Sequence, residues 1–125
     1  MKFSGVCIIT TDVPRLARFY EAILKTTSEG DEIHTEIKTD GAGLAIYSKA
    51  AAESDMLFAF GKYWGSGNFT VSFMVDDVDA EYERLKALNV DFVTSPKTYP
   101  WGARSVHFRD PDGNIVTFAR RIGQL

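Results

Sequence analysis

Apolar and polar residues along the chain run through two matching cycles. Residues 3–10 hold Val6, Ile8 and Ile9 in a run too short, and too polar at its ends, for a buried helix, so it reads as a strand. Thr11 or Asp12 can cap the helix that follows. Pro14 falls in its first turn, where an amide has no intrahelical partner to lose. Val13, Leu16, Tyr20, Ile23 and Leu24 line one stripe of that helix, with Arg15, Arg18 and Glu21 opposite, and Gly30 closes the connection. Residues 32–38 alternate polar and apolar as a half-exposed strand. Asp40-Gly41 is a hairpin signal, and residues 44–48 return as the partner. Residues 50–55 read as a polar or briefly helical excursion, and residues 56–60 as a fourth strand. Residues 61–68, with three glycines, Tyr63 and Trp64, read as a flexible connector.

The second cycle repeats the first. Residues 69–75 form a strand, and Asp76 or Asp77 caps a helix with Val78, Tyr82, Leu85 and Leu88 on its apolar side. Residues 90–93 read as a short strand and residues 94–101 as a loop. Residues 105–108 and 115–120 form a hairpin around Asp110-Pro111-Asp112-Gly113, which suits a type I turn. The Asp12-Val13 and Asp77-Val78 steps lie 65 positions apart, and residues 43–48 correspond to residues 114–119 at an offset of 71. The order βαβββ therefore occurs twice. The expected architecture is α+β, with two βαβββ repeats forming a curled mixed sheet with a concave cavity. It occupies residues 1–125 as one domain: repeat one 1–61, connector 62–68, repeat two 69–125.

Length and composition narrow the function classes. A chain of 125 residues can bury a core without staples. The net charge of −3, with no run of Lys and Arg along one face, lacks the footprint of a nucleic-acid binder. The single Cys7 points to a reducing compartment, no apolar run is long enough to span a bilayer, and the N-terminus enters a strand with no signal-peptide pattern. The expectation is a cytoplasmic protein with no nucleic-acid or membrane partner.

One segment is more specific than the periodicity. Trp101-Gly102-Ala103-Arg104, followed by Arg109-Asp110-Pro111-Asp112-Gly113-Asn114, resembles the bleomycin-resistance branch of the vicinal oxygen chelate superfamily, which also includes glyoxalase I and extradiol dioxygenases. The Asp12-Val13 step with Phe19-Tyr20 agrees with it, and the resemblance covers nearly all of the chain. In metal-dependent members, His, Glu or Gln from the first and last strand of each half hold a divalent ion. Carried over, those positions are Gly5, Ile46, Thr70 and Thr117, with Ala45 replacing Ile46 if that strand is shifted by one residue. Glycine and isoleucine carry no donor, and neutral threonine hydroxyls are poor ligands beside imidazole and carboxylate. No metal or other cofactor is therefore expected. The resemblance further implies a homodimer with a small-molecule ligand in each cavity.

The strand period of two extends the inward set from Gly5 to Cys7, from Thr70 to Ser72 and from Thr117 to its alternate neighbours, and the resemblance adds Ser105 and His107. Such a lining suits an uncharged or aromatic guest. The candidate ligand-binding residues are Cys7, Ile46, Thr70, Ser72, Trp101, Arg104, Ser105, His107 and Thr117. His107 reads as a hydrogen-bond partner or general base, or as a strand histidine that fills space. His34, Glu36 and His107 form an alternative metal set, against the plainer reading of a solvated polar row. Cys7 reads as a nucleophile or a small core residue. Tyr63, Trp64, Tyr99 and Trp101 are aromatic walls or packing, and Arg104 is a ligand contact or a loop brace. Two functions remain open: a metal-free binding protein for an aromatic or drug-like molecule, and a lyase, isomerase or dioxygenase-type enzyme using non-standard metal ligands or His107 as base.

Overall fold

The computed structural model of the chain describes residues 1–66 and 68–123 and is α+β, with two compact units, Met1–Trp64 and Gly65–Leu125. Of the expected connector, Gly67 lies outside the described residues.

The first unit runs β1 (Gly5–Thr10), α1 (Val13–Leu24), β2 (Ser28–Gly30), β3 (His34–Ile37), β4 (Gly43–Ser48) and α2 (Lys49–Asp55), ending in a 3-10 turn over Gly61–Tyr63. Its sheet has the order β1-β4-β3-β2, parallel between β1 and β4 and antiparallel elsewhere. The Asp12 carboxylate caps α1 by accepting from the Arg15 amide at 3.1 Å, and the helix stops at Lys25 in the left-handed region. Val13, Leu16, Ala17, Tyr20 and Ile23 bury one helical stripe against β3 and β4, where Ile37, Leu44 and Ile46 receive it together with Ile8 of β1. Each of the buried Val, Leu and Ile side chains contributes about 1.5–3 kcal/mol.

The second unit runs β5 (Thr70–Met74), α3 (Val78–Ala87), β6 (Asp91–Phe92), β7 (Lys97–Tyr99), β8 (Ala103–Arg109) and β9 (Ile115–Arg121). Its sheet has the order β5-β9-β8-β6, with β7 also on β8. Asp77 caps α3 by accepting from the Ala80 amide at 3.0 Å, as Asp12 does in the first unit. Val78 and Leu85 of α3 join a core of Val71, Val106, Phe108, Val116 and Phe118, in which the Phe108 and Phe118 rings meet edge to face at 5.1 Å.

β6 and β7 are two pieces of one strand. Asp91 faces Arg109 and Phe92 faces Phe108, but Lys97 faces Ser105, so residues 93–96 stand opposite only Val106 and His107. The amides of Val93 and Thr94 both donate to the His107 carbonyl, at 2.9 and 3.2 Å, which is the bond pattern of a β-bulge. Counted this way, each unit is βαβββ.

Two expectations change. Residues 56–60 form no strand: Leu57 takes φ 57°, outside the extended region, and the fourth strand of the first unit is instead β2, which comes before the hairpin. β2 is three residues without apolar alternation. Gly30 sits at φ 147° against the backbone of β3, where any Cβ would strike the His34 carbonyl and Thr35. Residues 94–101 are not only loop, since β7 lies within them. The excursion at residues 50–55 is helical as α2, capped by Ser48.

Candidate functional site

The face of the second sheet turned away from α3 carries a row of polar side chains. The helix lies on the side of Phe92 and Phe108, as the Tyr82–Phe92 ring contact at 4.8 Å and the core burial show. Alternation therefore sends Thr70 and Ser72 of β5, Thr117 of β9, and Ser105 and His107 of β8 to the opposite face. Ser72 stands beside Thr117 and Thr117 beside His107, so the three form one line across β5, β9 and β8. The Thr70 hydroxyl bonds that of Thr117 at 2.6 Å and that of Ser72 at 3.2 Å. Thr117 is buried and Ser72 exposed, so the row passes from packed protein to solvent.

His107 ends the row. Its Nδ1 lies 3.0 Å from Oγ1 of Thr94, and its ring stands edge-on to Tyr99 at 6.4 Å. Half-burial holds its pKa below the ordinary imidazole value, because desolvation disfavours the cation, so the ring is neutral at pH 7. Tyr99 stacks on Trp101 at 4.6 Å with planes 16° apart, and Trp101 remains 69% exposed. The stack on β7 and the turn after it thus adjoins the row of hydroxyl and imidazole groups through the Tyr99–His107 contact. Thr94 is a member that sequence reasoning missed. It sits in the bulge of an interrupted strand, and no hydrophobic period reports a bulge.

The first unit differs. Gly5, Cys7, Ala45 and Tyr47 lie on the sheet face away from α1, with His34 and Glu36 beside Tyr47 and Ala45. Ile46 is a correction. It pairs with Ile8, is fully buried, and points to the helix side, so it lines no ligand surface. The ladders give the reason. Cys7 faces Ala45 and Ser72 faces Thr117, so the counterpart of Thr117 is Ala45, at an offset of 72 rather than 71. A one-residue shift moves a side chain to the other face. His34 Nε2 lies 3.9 Å from the Glu36 carboxylate, and both side chains are largely exposed. The surroundings of Cys7 push its thiol pKa up by desolvation, which makes a poor nucleophile. A groove of about 350 Å³ at the β2–β3 edge, lined by Glu29, Glu36 and Lys38 among others, is charged and belongs to the first unit.

Arg104 is a second correction. Its guanidinium grips Asp79 in the first turn of α3 through two bonds of 2.8 and 2.7 Å, and bonds the Thr98 hydroxyl at 3.1 Å. Even numbering along β8 puts it on the helix face, with Val106 and Phe108, so it braces the helix against the sheet. Arg104 holds the Asp79 carboxyl below its usual pKa. The Arg109–Asn114 segment is equally structural. Asp110 is buried and accepts from the amides of Asp112 and Asn114, each at 2.9 Å, and from the Asn114 side chain at 2.8 Å. Arg109 donates to the Gly113 carbonyl at 2.8 Å.

The four positions at which metal-dependent relatives place ligands carry Gly5 and Ala45 in the first unit and Thr70 and Thr117 in the second. This donor set does not fit a divalent ion, and the two threonine hydroxyls are already bound to each other. In neither unit, among the described residues, do three or more His, Cys, Asp and Glu side chains gather as a metal site. Of the alternative set, His34 and Glu36 belong to the first unit and His107 to the second.

The model of the glyoxalase/bleomycin resistance protein/dioxygenase superfamily matches residues 2–118. The chain belongs to this superfamily. The uncharacterized protein YraH of Bacillus subtilis (strain 168) is 41% identical over 55 residues, and the match spans 43% of each chain. A glyoxalase/bleomycin resistance protein/dioxygenase family enzyme from Burkholderia phytofirmans PsJN superposes with a TM-score of 0.84 at 19% identity, over 97% of this chain and 99% of that one. A glyoxalase/bleomycin resistance protein/dioxygenase from Nocardioides gives 0.80 at 24% identity, over 100% and 89%. These structural likenesses show the superfamily fold and do not carry an activity. No helix among the described residues is long and apolar enough to cross a membrane.

Proposed function

We propose that this superfamily member binds a small aromatic or drug-like molecule, without a metal ion and as a homodimer. The observation that carries this reading is the uncharged row of Thr70, Ser72, Thr117 and His107 beside the Tyr99–Trp101 stack. A flat apolar wall with a few placed hydrogen-bonding groups is what an aromatic guest needs. The test has two parts. The protein is incubated with nickel, zinc, iron(II) and manganese, desalted and assayed for metal, with near-zero retention expected; stoichiometric retention would overturn the metal-free reading. It is then screened by thermal shift against an aromatic fragment set. Hits should vanish in Thr117→Trp, and hits that survive unchanged would remove this face as the site. Light scattering of the purified protein checks the dimer.

A second reading is an enzyme of the same superfamily. Its support is the neutral, half-buried imidazole of His107, the form from which a general base acts. Turnover of a vicinal dioxygen substrate that collapses in His107→Ala would favour it, and full activity in that variant would remove His107 from the mechanism.

A further inference from the structure

The imidazole of His107 has two differently placed ends. Nδ1 meets the Thr94 hydroxyl, whereas no side chain or backbone group among the described residues bonds Nε2. Oγ1 of Thr94 also accepts the backbone N–H of His107 at 3.0 Å. A hydroxyl has one proton and two acceptor lone pairs. With an N–H already aimed at the oxygen, Nδ1 is the one acceptor that the described residues offer the hydroxyl proton. When Nδ1 accepts it, the single proton of a neutral ring lies on Nε2. The bulge enforces the pairing, because the Val93 and Thr94 amides both close on the His107 carbonyl. Two hydrogen bonds to one carbonyl in this way re-aim the bulged side chain. Here they turn the Thr94 hydroxyl onto the strand neighbour it would otherwise pass.

We propose that Thr94 is a positioning residue that holds His107 as the Nε2–H tautomer, so that this face offers a hydrogen-bond donor and selects guests presenting an acceptor oxygen, a carbonyl or a carboxylate. The tautomer follows from the geometry of the second unit alone, and the guest rests on the binding reading above. In this state Nε2 gives a hydrogen bond and cannot take a proton, which sets the tautomer against His107 as general base and with the binding reading. A guest matched to it carries an exposed oxygen on or beside an aromatic ring.

The test is long-range proton–nitrogen NMR of the protein labelled with ¹⁵N-histidine, above the His107 pKa and without ligand. Wild type should show one tautomer, with Nδ1 at its unprotonated and Nε2 at its protonated position. Thr94→Val should move both resonances toward the averaged values of a ring exchanging between tautomers, and Thr94→Ser should restore the wild-type pattern. A ring protonated at Nδ1 in wild type, or wild-type shifts retained in Thr94→Val, would overturn the proposal. Thr94→Ser keeps the test decisive if the valine variant fails to fold, because it must then match wild type at both nitrogens. Benzoate added to wild type is expected to shift the Nε2 resonance in a saturable manner. An unmoved Nε2 resonance at the highest soluble benzoate concentration overturns the acceptor-oxygen guest while the ligand-free spectra still decide the tautomer.

Discussion

The two units are built on one plan and end with different chemistry on the sheet faces away from their helices. In the first unit that face holds Gly5, Cys7, Ala45 and Tyr47, with the exposed pair His34 and Glu36. In the second it holds Thr70, Ser72, Thr117 and His107, bonded to one another or to Thr94. The helix-side faces, by contrast, are filled alike: Ile8, Leu44 and Ile46 in one, Val71, Val116 and Phe118 in the other. Packing density constrains the helix side, where a lost methylene leaves a void. The opposite face is under no such packing constraint from its own helix, and there the two copies differ.

The comparison can be broken most sharply on the helix side. Ile46→Ala should cost about 2–5 kcal/mol in urea unfolding and leave any guest affinity unchanged, because the side chain is wholly enclosed against α1. A loss of affinity at constant stability would return Ile46 to the ligand surface. Next come the first residues of the two opening strands. Gly5 has φ 149°, and a Cβ there would strike the Gly43 backbone, so Gly5→Ala should cost about 1–3 kcal/mol in strain and clash. Its counterpart Thr70→Ala meets no clash but removes the partner of the buried Thr117 hydroxyl, and should cost about 1 kcal/mol. Gly5→His should bring the same instability and no metal retention, and recovery of stoichiometric zinc would show that the strand can shift. The two helix caps should behave alike: Asp12→Ala and Asp77→Ala should each cost about 1 kcal/mol in thermal unfolding. A large difference between them would show that the capping contacts of the two units are not equivalent.

The smallest effect is a pH dependence confined to the second unit. His107 titrates below the ordinary imidazole value in the folded protein, so on acidification the unfolded chain takes up its proton first. Between the ordinary value and the lowered one the unfolded state binds more protons, and stability falls as pH falls. The contribution is complete above that window and lost below it. Stability measured from pH 7.5 downward should show this decline in wild type and lose it in His107→Gln. An unchanged slope in the variant would mean that burial does not hold the imidazole neutral.

Much of the fold was legible because repetition doubled the signal. Asp-Val at 12–13 and 77–78 marked both helix starts, and the structure begins α1 at Val13 and α3 at Val78. The strands that escaped were β2 and β7, each three residues long and lacking apolar alternation, and both are held by pairing to a neighbour rather than by their own pattern. The apolar run at residues 56–60 misled in the opposite sense, for hydrophobicity alone does not make a strand where Leu57 turns into the left-handed region. The polar row was partly legible, since the period of two placed Thr70, Ser72 and Thr117 on one face. Ile46 was misplaced because Leu44, Ala45, Ile46 and Tyr47 are all apolar, and an unbroken apolar strand does not say which alternate set faces the helix.

The sequence by itself determined the duplicated βαβββ plan, the capped helices, the turn at Asp110–Gly113 and the superfamily resemblance. All of these are local or periodic, and a chain records such features in its own order. Only the tertiary structure decided that Ala45 rather than Ile46 is the partner position of Thr117, that Arg104 serves the helix, and that Thr94 meets His107 across a bulge. Each of those depends on strand register or on a contact between separate elements. Register is set by how two strands pair, and neither strand carries that information alone.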